Sequence, residues 1–137
     1  MKKILFLCTG NSCRSQMAEG MVNHYGKNKL IAFSAGLNPS TVNHYAIKVM
    51  NEIGIDISKQ ESKGLEQFIG KDFDYIITLC ENAKQNCPFF PGNAKRIHWD
   101  IKDPAGATGT EEEILEEFRR CRDVIEKKIL ELLNETG

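Results

Sequence analysis

No stretch of this chain is long and apolar enough to span a membrane, and neither sign of charge dominates it. The formal net charge is −1, with acids and bases interspersed along all 137 residues. That leaves no electrostatic footprint for a nucleic acid or a membrane surface, and no such partner is expected. Two lysines follow Met1, but the apolar run after them is only Ile4-Leu5-Phe6-Leu7. It is too short for the core of a secretory signal, so a cytoplasmic protein is expected. Repeats, linkers and low-complexity segments are also missing. Residues 1–137 therefore read as a single domain, long enough to bury a core without covalent staples.

The five cysteines lack the marks of a disulfide framework or a zinc site. Their number is odd, and a reducing cytosol keeps thiols unpaired. Cys8 with Cys13, and Cys80 with Cys87, form no C-x2-C pair, and no histidine stands at finger spacing. No metal and no cofactor are expected. Redox or nucleophilic chemistry is what remains.

What is present is concentrated at Cys8-Thr9-Gly10-Asn11-Ser12-Cys13-Arg14-Ser15, directly after the apolar run. The pattern is C-x5-R closed by a serine. A strand that ends in such a turn and feeds a helix points its backbone N–H groups into one small space, where the helix N-terminus adds positive partial charge. A tetrahedral oxyanion fits there, with Arg14 as a planar fork for two of its oxygens. The same dipoles and charge favour the thiolate form of Cys8 at the floor. Gly10 and Asn11 suit left-handed backbone positions. The stretch is an oxyanion cradle with a nucleophile built in; the plainer alternative is a buried structural cysteine beside a surface arginine.

Periodicity places the other elements. Residues 2–8 read as a fully buried strand, and Ser15 to about Gly26 as a helix with Met17, Met21 and Val22 or Tyr25 on one face. A second strand covers 30–35, ended by Gly36. Asn43 is a fair N-cap for a helix carrying Ala46, Ile47, Met50 and Ile53 and stopped at Gly54. Residues 55–63 read as a connection, and Leu65, Phe68 and Ile69 as a short helix ending at Gly70. Strands are expected over 73–80 and 94–101, with about two helical turns over 81–87 before Pro88. The last helix runs over 111–133, with Ile114, Phe118, Cys121, Ile125, Ile129 and Leu132 on one stripe and Thr110 and Glu113 as its capping box.

Strands alternating with helices imply an α/β fold, a parallel sheet covered on both faces. Ligands in such sheets bind beyond the strand C-termini, where strand order reverses. Cys8, Cys80 and the loop of Asp103-Pro104 all lie at strand C-terminal ends. Asp103 is a candidate general acid facing a bound anion, or else a solvated loop acid. Cys80 and Cys87 flank a segment whose helical form would separate their Cα atoms by roughly 10 Å. A disulfide needs about 7 Å or less, so bonding them requires that segment to unwind. Taken alone they read as a core cysteine and an incidental surface one; beside a thiolate on the same sheet edge, three thiols in series point to electron transfer. His24, His44 and His98 show no relay, Cys121 and Trp99 read as packing, and Cys13 as a small side chain of the loop.

Together, Cys8 to Gly20, the Cys80/Cys87 pair in C-x6-C-P and Asp103-Pro104 resemble the thioredoxin-coupled arsenate reductases, which share the low-molecular-weight protein tyrosine phosphatase fold. The resemblance covers essentially the whole chain. It implies a three-layer sandwich with a four-stranded parallel sheet and helices on both faces. It also implies that arsenate, with phosphate or sulfate as competitors, binds the loop of Thr9, Gly10, Asn11, Ser12, Cys13, Arg14 and Ser15. Cys8 would attack arsenic, Ser15 would help hold it ionised, and Asp103 would assist departure of a hydroxyl. Cys80 would then attack Cys8 and Cys87 would attack Cys80, leaving a Cys80–Cys87 disulfide for thioredoxin to reduce. A monomer is expected. Members of the family can bind potassium near the loop, and Asn11, Glu19 and Ser34 match three of its ligands. Lys63 stands where ion-binding members carry an acid, so an ammonium would take the cation's place. Two rival readings remain. One is a phosphotyrosine phosphatase using only Cys8, Arg14 and Asp103, although Ala105 to Gly109 offers no aromatic grip for a phenyl ring. The other is a non-enzymatic anion-binding redox sensor.

Overall fold

A computed structural model describes residues 1–87 and 93–136, so Pro88 of the C-x6-C-P pattern lies outside the described residues. The apolar run forms β1 (Lys2–Cys8), followed by α1 (Arg14–Tyr25), β2 (Leu30–Gly36) and α2 (His44–Asn51). Then come β3 (Tyr75–Thr78), α3 (Glu81–Asn86), β4 (Lys95–His98) and α4 (Glu111–Thr136). The four strands make one parallel sheet in the order β2-β1-β3-β4. The chain moves from β1 outward to β2, then returns to the other side of β1 for β3. Strand order thus reverses at β1 and β3, and the crevice beyond their C-terminal ends is where such a sheet takes a ligand.

β1 is buried on both faces because each side of the sheet has its own core. Ile4 and Phe6 join α1, α2 and α4 residues such as Met17, Met21, Met50, Phe118 and Ile125. Leu5 and Leu7 join Ile76, Leu65, Phe68, Phe73 and Ala83 under α3. The apolar stripe expected on α4 faces the first core, with Phe118, Cys121, Ile125, Ile129 and Leu132 all buried. Its reciprocal capping box forms: Thr110 N–H donates to Glu113 Oε1 at 3.1 Å, and Glu113 N–H to Thr110 Oγ1 at 3.2 Å. Asn43 caps α2 as expected, its Oδ1 accepting from the N–H groups of Tyr45 and Ala46.

Several boundaries differ from the sequence expectation. α1 starts at Arg14, not Ser15, and is buried on all sides from Arg14 to Val22 because the sheet and α4 enclose it. α2 stops at Asn51, and the chain reaches Gly54 through turns closed by Ile53 N–H to Met50 O and Gly54 N–H to Asn51 O. The expected helix over Leu65 to Ile69 is a single 3-10 turn, Leu65–Gln67. The strands expected over 73–80 and 94–101 pair only over Tyr75–Thr78 and Lys95–His98. Cys80 is accordingly not a strand residue but the N-cap of α3. Trp99, as expected, packs against Phe6 with ring centroids 5.9 Å apart. Among the described residues no helix is long and apolar enough to cross a membrane.

Candidate active site

Between β1 and α1 the backbone turns outward at every carbonyl. Those of Cys8, Thr9, Gly10 and Ser12 accept from the N–H groups of Leu37, Asn38, Ser40 and Asn43, and Cys13 O from Met17 N–H. Asn11 O accepts from Gln16 Nε2 at 3.0 Å. In a planar trans peptide the N–H points opposite to the C=O, so the N–H groups of Thr9 to Arg14 face the concave side. α1 opens there with no side-chain cap, leaving its first donors for a ligand. Asn11 takes the left-handed backbone that the turn needs, with φ of 48°, whereas Gly10 does not. A glycine is required instead at Gly36 on β2. A Cβ there would lie 2.7 Å from Thr9 O and 2.8 Å from Asn11 N, both backbone atoms of the loop.

Cys8 Sγ sits on that concave side, accepting from Asn11 N–H at 3.2 Å. Its contact with Ser15 Oγ is 2.9 Å, and the neighbours decide who donates. Lys63 N–H is a backbone donor, so the Asn11 atom 2.7 Å from it is Oδ1. Asn11 Nδ2 then donates to Ser15 Oγ at 2.8 Å, and when Cys8 is a thiolate the serine proton is the one that faces the sulfur. Burial pushes the thiols of Cys13 and Cys121 up to about 12.

Arg14 is buried, and its Nη1 donates to Leu79 O at 3.2 Å and Ile101 O at 2.8 Å. Those carbonyls follow β3 and β4, so the sheet edge itself aims the guanidinium. Nη2 faces Asp103 Oδ2 at 3.6 Å. Asp103 Oδ1 is held by Ala105 N–H at 3.0 Å, which caps the 3-10 turn Pro104–Gly106 and fixes the carboxylate over the loop.

Cys80 Sγ lies 3.4 Å from Thr9 Oγ1, at the rim of the loop. It also accepts from Ala83 N–H at 3.4 Å as the α3 cap. A backbone group again sets the amide orientations. Asn86 Nδ2 donates to Asn82 O at 3.0 Å, so it also donates to Asn82 Oδ1 at 2.8 Å. Asn82 Nδ2 therefore donates to Thr9 Oγ1 at 3.2 Å, so against a Cys80 thiolate the threonine is the donor. Cys87 stands at the other end of α3 as its C-cap, roughly 10 Å away by helical rise. All five cysteines are thiols.

The structure thus brings together Cys8, the loop, Arg14, Ser15, Asp103 and Cys80, and holds Cys87 apart. Sequence reasoning missed the supports: Gln16, the backbone N–H of Lys63, Asn82, Asn86 and the linking role of Thr9. Of these only Thr9 and Gln16 fall inside the motif, and nothing in their spacing marks a partner distant in sequence. The histidines stay out of the loop: His24 and His44 stack on Tyr25 and Tyr45, and His98 bonds Thr78. The Glu19 group does not fit a cation. Asn11 Oδ1 already accepts from Lys63 N–H, Ser34 Oγ donates to Glu19 Oε1 at 2.7 Å, and the Lys63 ammonium sits 3.5 Å from that same oxygen.

The family model described as low molecular weight phosphotyrosine protein phosphatase matches residues 3–137. The chain belongs to that family. The arsenate reductase of Halalkalibacterium halodurans is 49% identical over 99% of this chain and 97% of its own length. The arsenate reductase of Bacillus subtilis is 47% identical over the same shares. A solved structure described as an arsenate reductase in the phosphate binding state superposes with a TM-score of 0.83 at 36% identity, covering both chains fully. Within the family, the chain groups with these reductases, and its sheet and flanking helices are those of the low-molecular-weight phosphatase fold.

Proposed function

We propose that this protein reduces arsenate to arsenite through Cys8, Cys80 and Cys87 and is returned to its thiol state by thioredoxin. The observation that carries the proposal is the contact of Cys80 Sγ with Thr9 Oγ1 at 3.4 Å, which sets a second thiol on the rim of an oxyanion cradle. A phosphatase needs the cradle but has no use for that thiol.

The oxyanion binds the loop N–H groups and the open edge of Arg14. The Cys8 thiolate attacks arsenic, and a hydroxyl leaves as water with a proton from Asp103. Cys80 thiolate then attacks Cys8 Sγ, and the sulfur–arsenic bonding pair passes to arsenic. Arsenite leaves, and Cys8 and Cys80 are joined. Cys87 attacks Cys80 and Cys8 departs as thiolate. One dithiol is oxidised for each arsenic reduced by two electrons, so the step balances. Phosphate binds the same cradle but does not accept two electrons, so selectivity lies after attachment rather than in shape.

α3 is built to give way. It is six residues long, it is capped by the sulfur that the reaction consumes, and two asparagines weaken it. Once Cys80 is in a disulfide the cap is lost, and the segment can unwind to bring Cys87 within about 7 Å. A thioredoxin near −270 mV is a sufficient reductant in a cytoplasmic setting. We take the working unit to be one chain.

The test is NADPH consumption with thioredoxin and its reductase. Arsenate should support multiple turnover, and Cys80→Ser should abolish it while leaving hydrolysis of a small phosphate ester largely intact. Hydrolysis without any arsenate-dependent NADPH use would instead favour the phosphatase reading, which the shared cradle also supports.

A further inference from the structure

β4 is an edge strand, and its register sets Arg96 and His98 where apolar side chains would be expected. Arg96 lies opposite Ile76, which lies opposite Leu5; His98 lies opposite Thr78, which lies opposite Leu7. Residues directly paired across a sheet share a face. Arg96 and His98 therefore project on the α3 side of the sheet, the side whose core is Leu5, Leu7, Ile76 and Ala83. There Arg96 Nη1 donates to Cys87 Sγ at 3.2 Å. A cleft of about 180 Å³ opens at this point, lined by Thr78, Lys84, Cys87, Arg96 and His98. Among the described residues, the acid that faces this group is Glu81, 3.8 Å from His98 Nε2.

The two ends of α3 treat their sulfurs differently. Cys80 is at the N-terminal end, where an N–H group and a hydroxyl donate to it. Cys87 is at the C-terminal end, where the helix dipole opposes negative charge. A thiolate at Cys87 needs a cation from another element. We propose that Arg96 is that cation: a positioning residue that holds Cys87 ionised and so sets the rate at which it attacks Cys80. The inference rests on the relay proposed above. In that step the Cys87 thiolate forms a bond to Cys80 Sγ, the Cys80–Cys8 bond breaks, and Cys8 leaves carrying the electron pair. The Arg96 contact ends as Cys87 swings away; what it supplies is the ionised population from which the swing starts.

The test compares the full-length protein with Arg96→Gln and Arg96→Lys, substitutions on an exposed edge position. In the resting protein, without arsenate, R96Q should slow iodoacetamide labelling of Cys87 about tenfold at neutral pH, the scale of one charged hydrogen bond tempered by thiol nucleophilicity. The deficit should close near about pH 9.5, where solvent ionises ordinary thiols, and R96K should recover most of the rate. In a rapidly quenched single turnover, R96Q should release arsenite normally but accumulate the Cys8–Cys80 disulfide. Equal labelling of Cys87 in R96Q and the parent, a deficit that does not change with pH, or an R96K as slow as R96Q overturns the inference. The labelling arm involves no turnover, so it reads Arg96 even if the parent never forms a Cys80–Cys87 disulfide, which would defeat the relay instead.

Discussion

Ser15 Oγ lies 2.9 Å from Cys8 Sγ and accepts from Asn11 Nδ2 at 2.8 Å, so against a Cys8 thiolate the serine is the donor. The orientation is imposed from outside the loop, by Lys63 N–H on Asn11 Oδ1. A backbone donor more than fifty residues downstream thus orients the amide that holds Ser15 beside the candidate nucleophile.

Asn11→Asp is therefore the more damaging of two substitutions, although it is nearly isosteric. Its second carboxylate oxygen would draw the Ser15 proton away from Cys8 and add negative charge beside it. Asn11→Ala leaves the serine free to rotate. Single-turnover rates should fall about 10- to 100-fold for Asn11→Ala, the value of a hydrogen bond to a charged group, and further for Asn11→Asp. Equal rates in the two variants would contradict the proton assignment.

Gly36→Ala should harm the cradle from the strand behind it. The new methyl would meet loop backbone at 2.7 Å and 2.8 Å, and backbone cannot rotate aside. A loss of about 1–3 kcal/mol in chemical denaturation is expected, the usual cost of overpacking. Phosphate should also inhibit the variant more weakly. Unchanged phosphate affinity would mean that the loop does not depend on this close approach.

The cysteines should divide under alkylation of the folded, reduced protein. Cys13 and Cys121 are buried with thiols pushed up to about 12, so neither should label at mild alkaline pH. Labelling is expected at Cys80 and Cys87, and at Cys8 with protection by phosphate. Peptide mass mapping reads this directly. Modification of Cys121 at the rate of Cys80 would show that α4 does not cover it as described.

Away from the site, Glu52 ties α2 to α4. Hydrogen bonds from Arg119, and then from Arg122, hold its carboxyl below the usual carboxylate range, against a smaller opposing effect of burial. A depressed folded value adds stability above the unfolded value of about 4.3, and that stability is lost as the pH falls through the folded value. Glu52→Gln should be less stable than the parent near neutrality, and the gap should close in acid. Urea midpoints across that range test it; a gap independent of pH would place the effect in packing rather than charge.

The parts of this fold legible in the sequence are those written in contiguous residues. The run into Cys8, the loop to Ser15, the Asn43 cap and the four-and-three spacing of α4 each carry their own signal, and each appears where expected. The strands end earlier than their apolar runs because pairing, not composition, decides a boundary: Cys80 is recruited as a helix cap, and Ile101 lends a carbonyl to Arg14. α1 showed one apolar face yet is enclosed all round, since Gln16 and Glu19 find partners inside the protein. Several of the loop's supports come from 55–63, a stretch with no sustained period, whose Glu61, Ser62 and Lys63 meet the loop and α1. Arg96 was hidden for a related reason, because only the strand register reveals that it faces Cys87.

The most direct test of the relay is mass mapping after one turnover with arsenate and no external reductant. Arsenite should appear in a one-to-one ratio with a peptide in which residues 80 and 87 are covalently joined, while Cys8 is again a thiol. Arsenite released with Cys80 and Cys87 both still open to alkylation would contradict it.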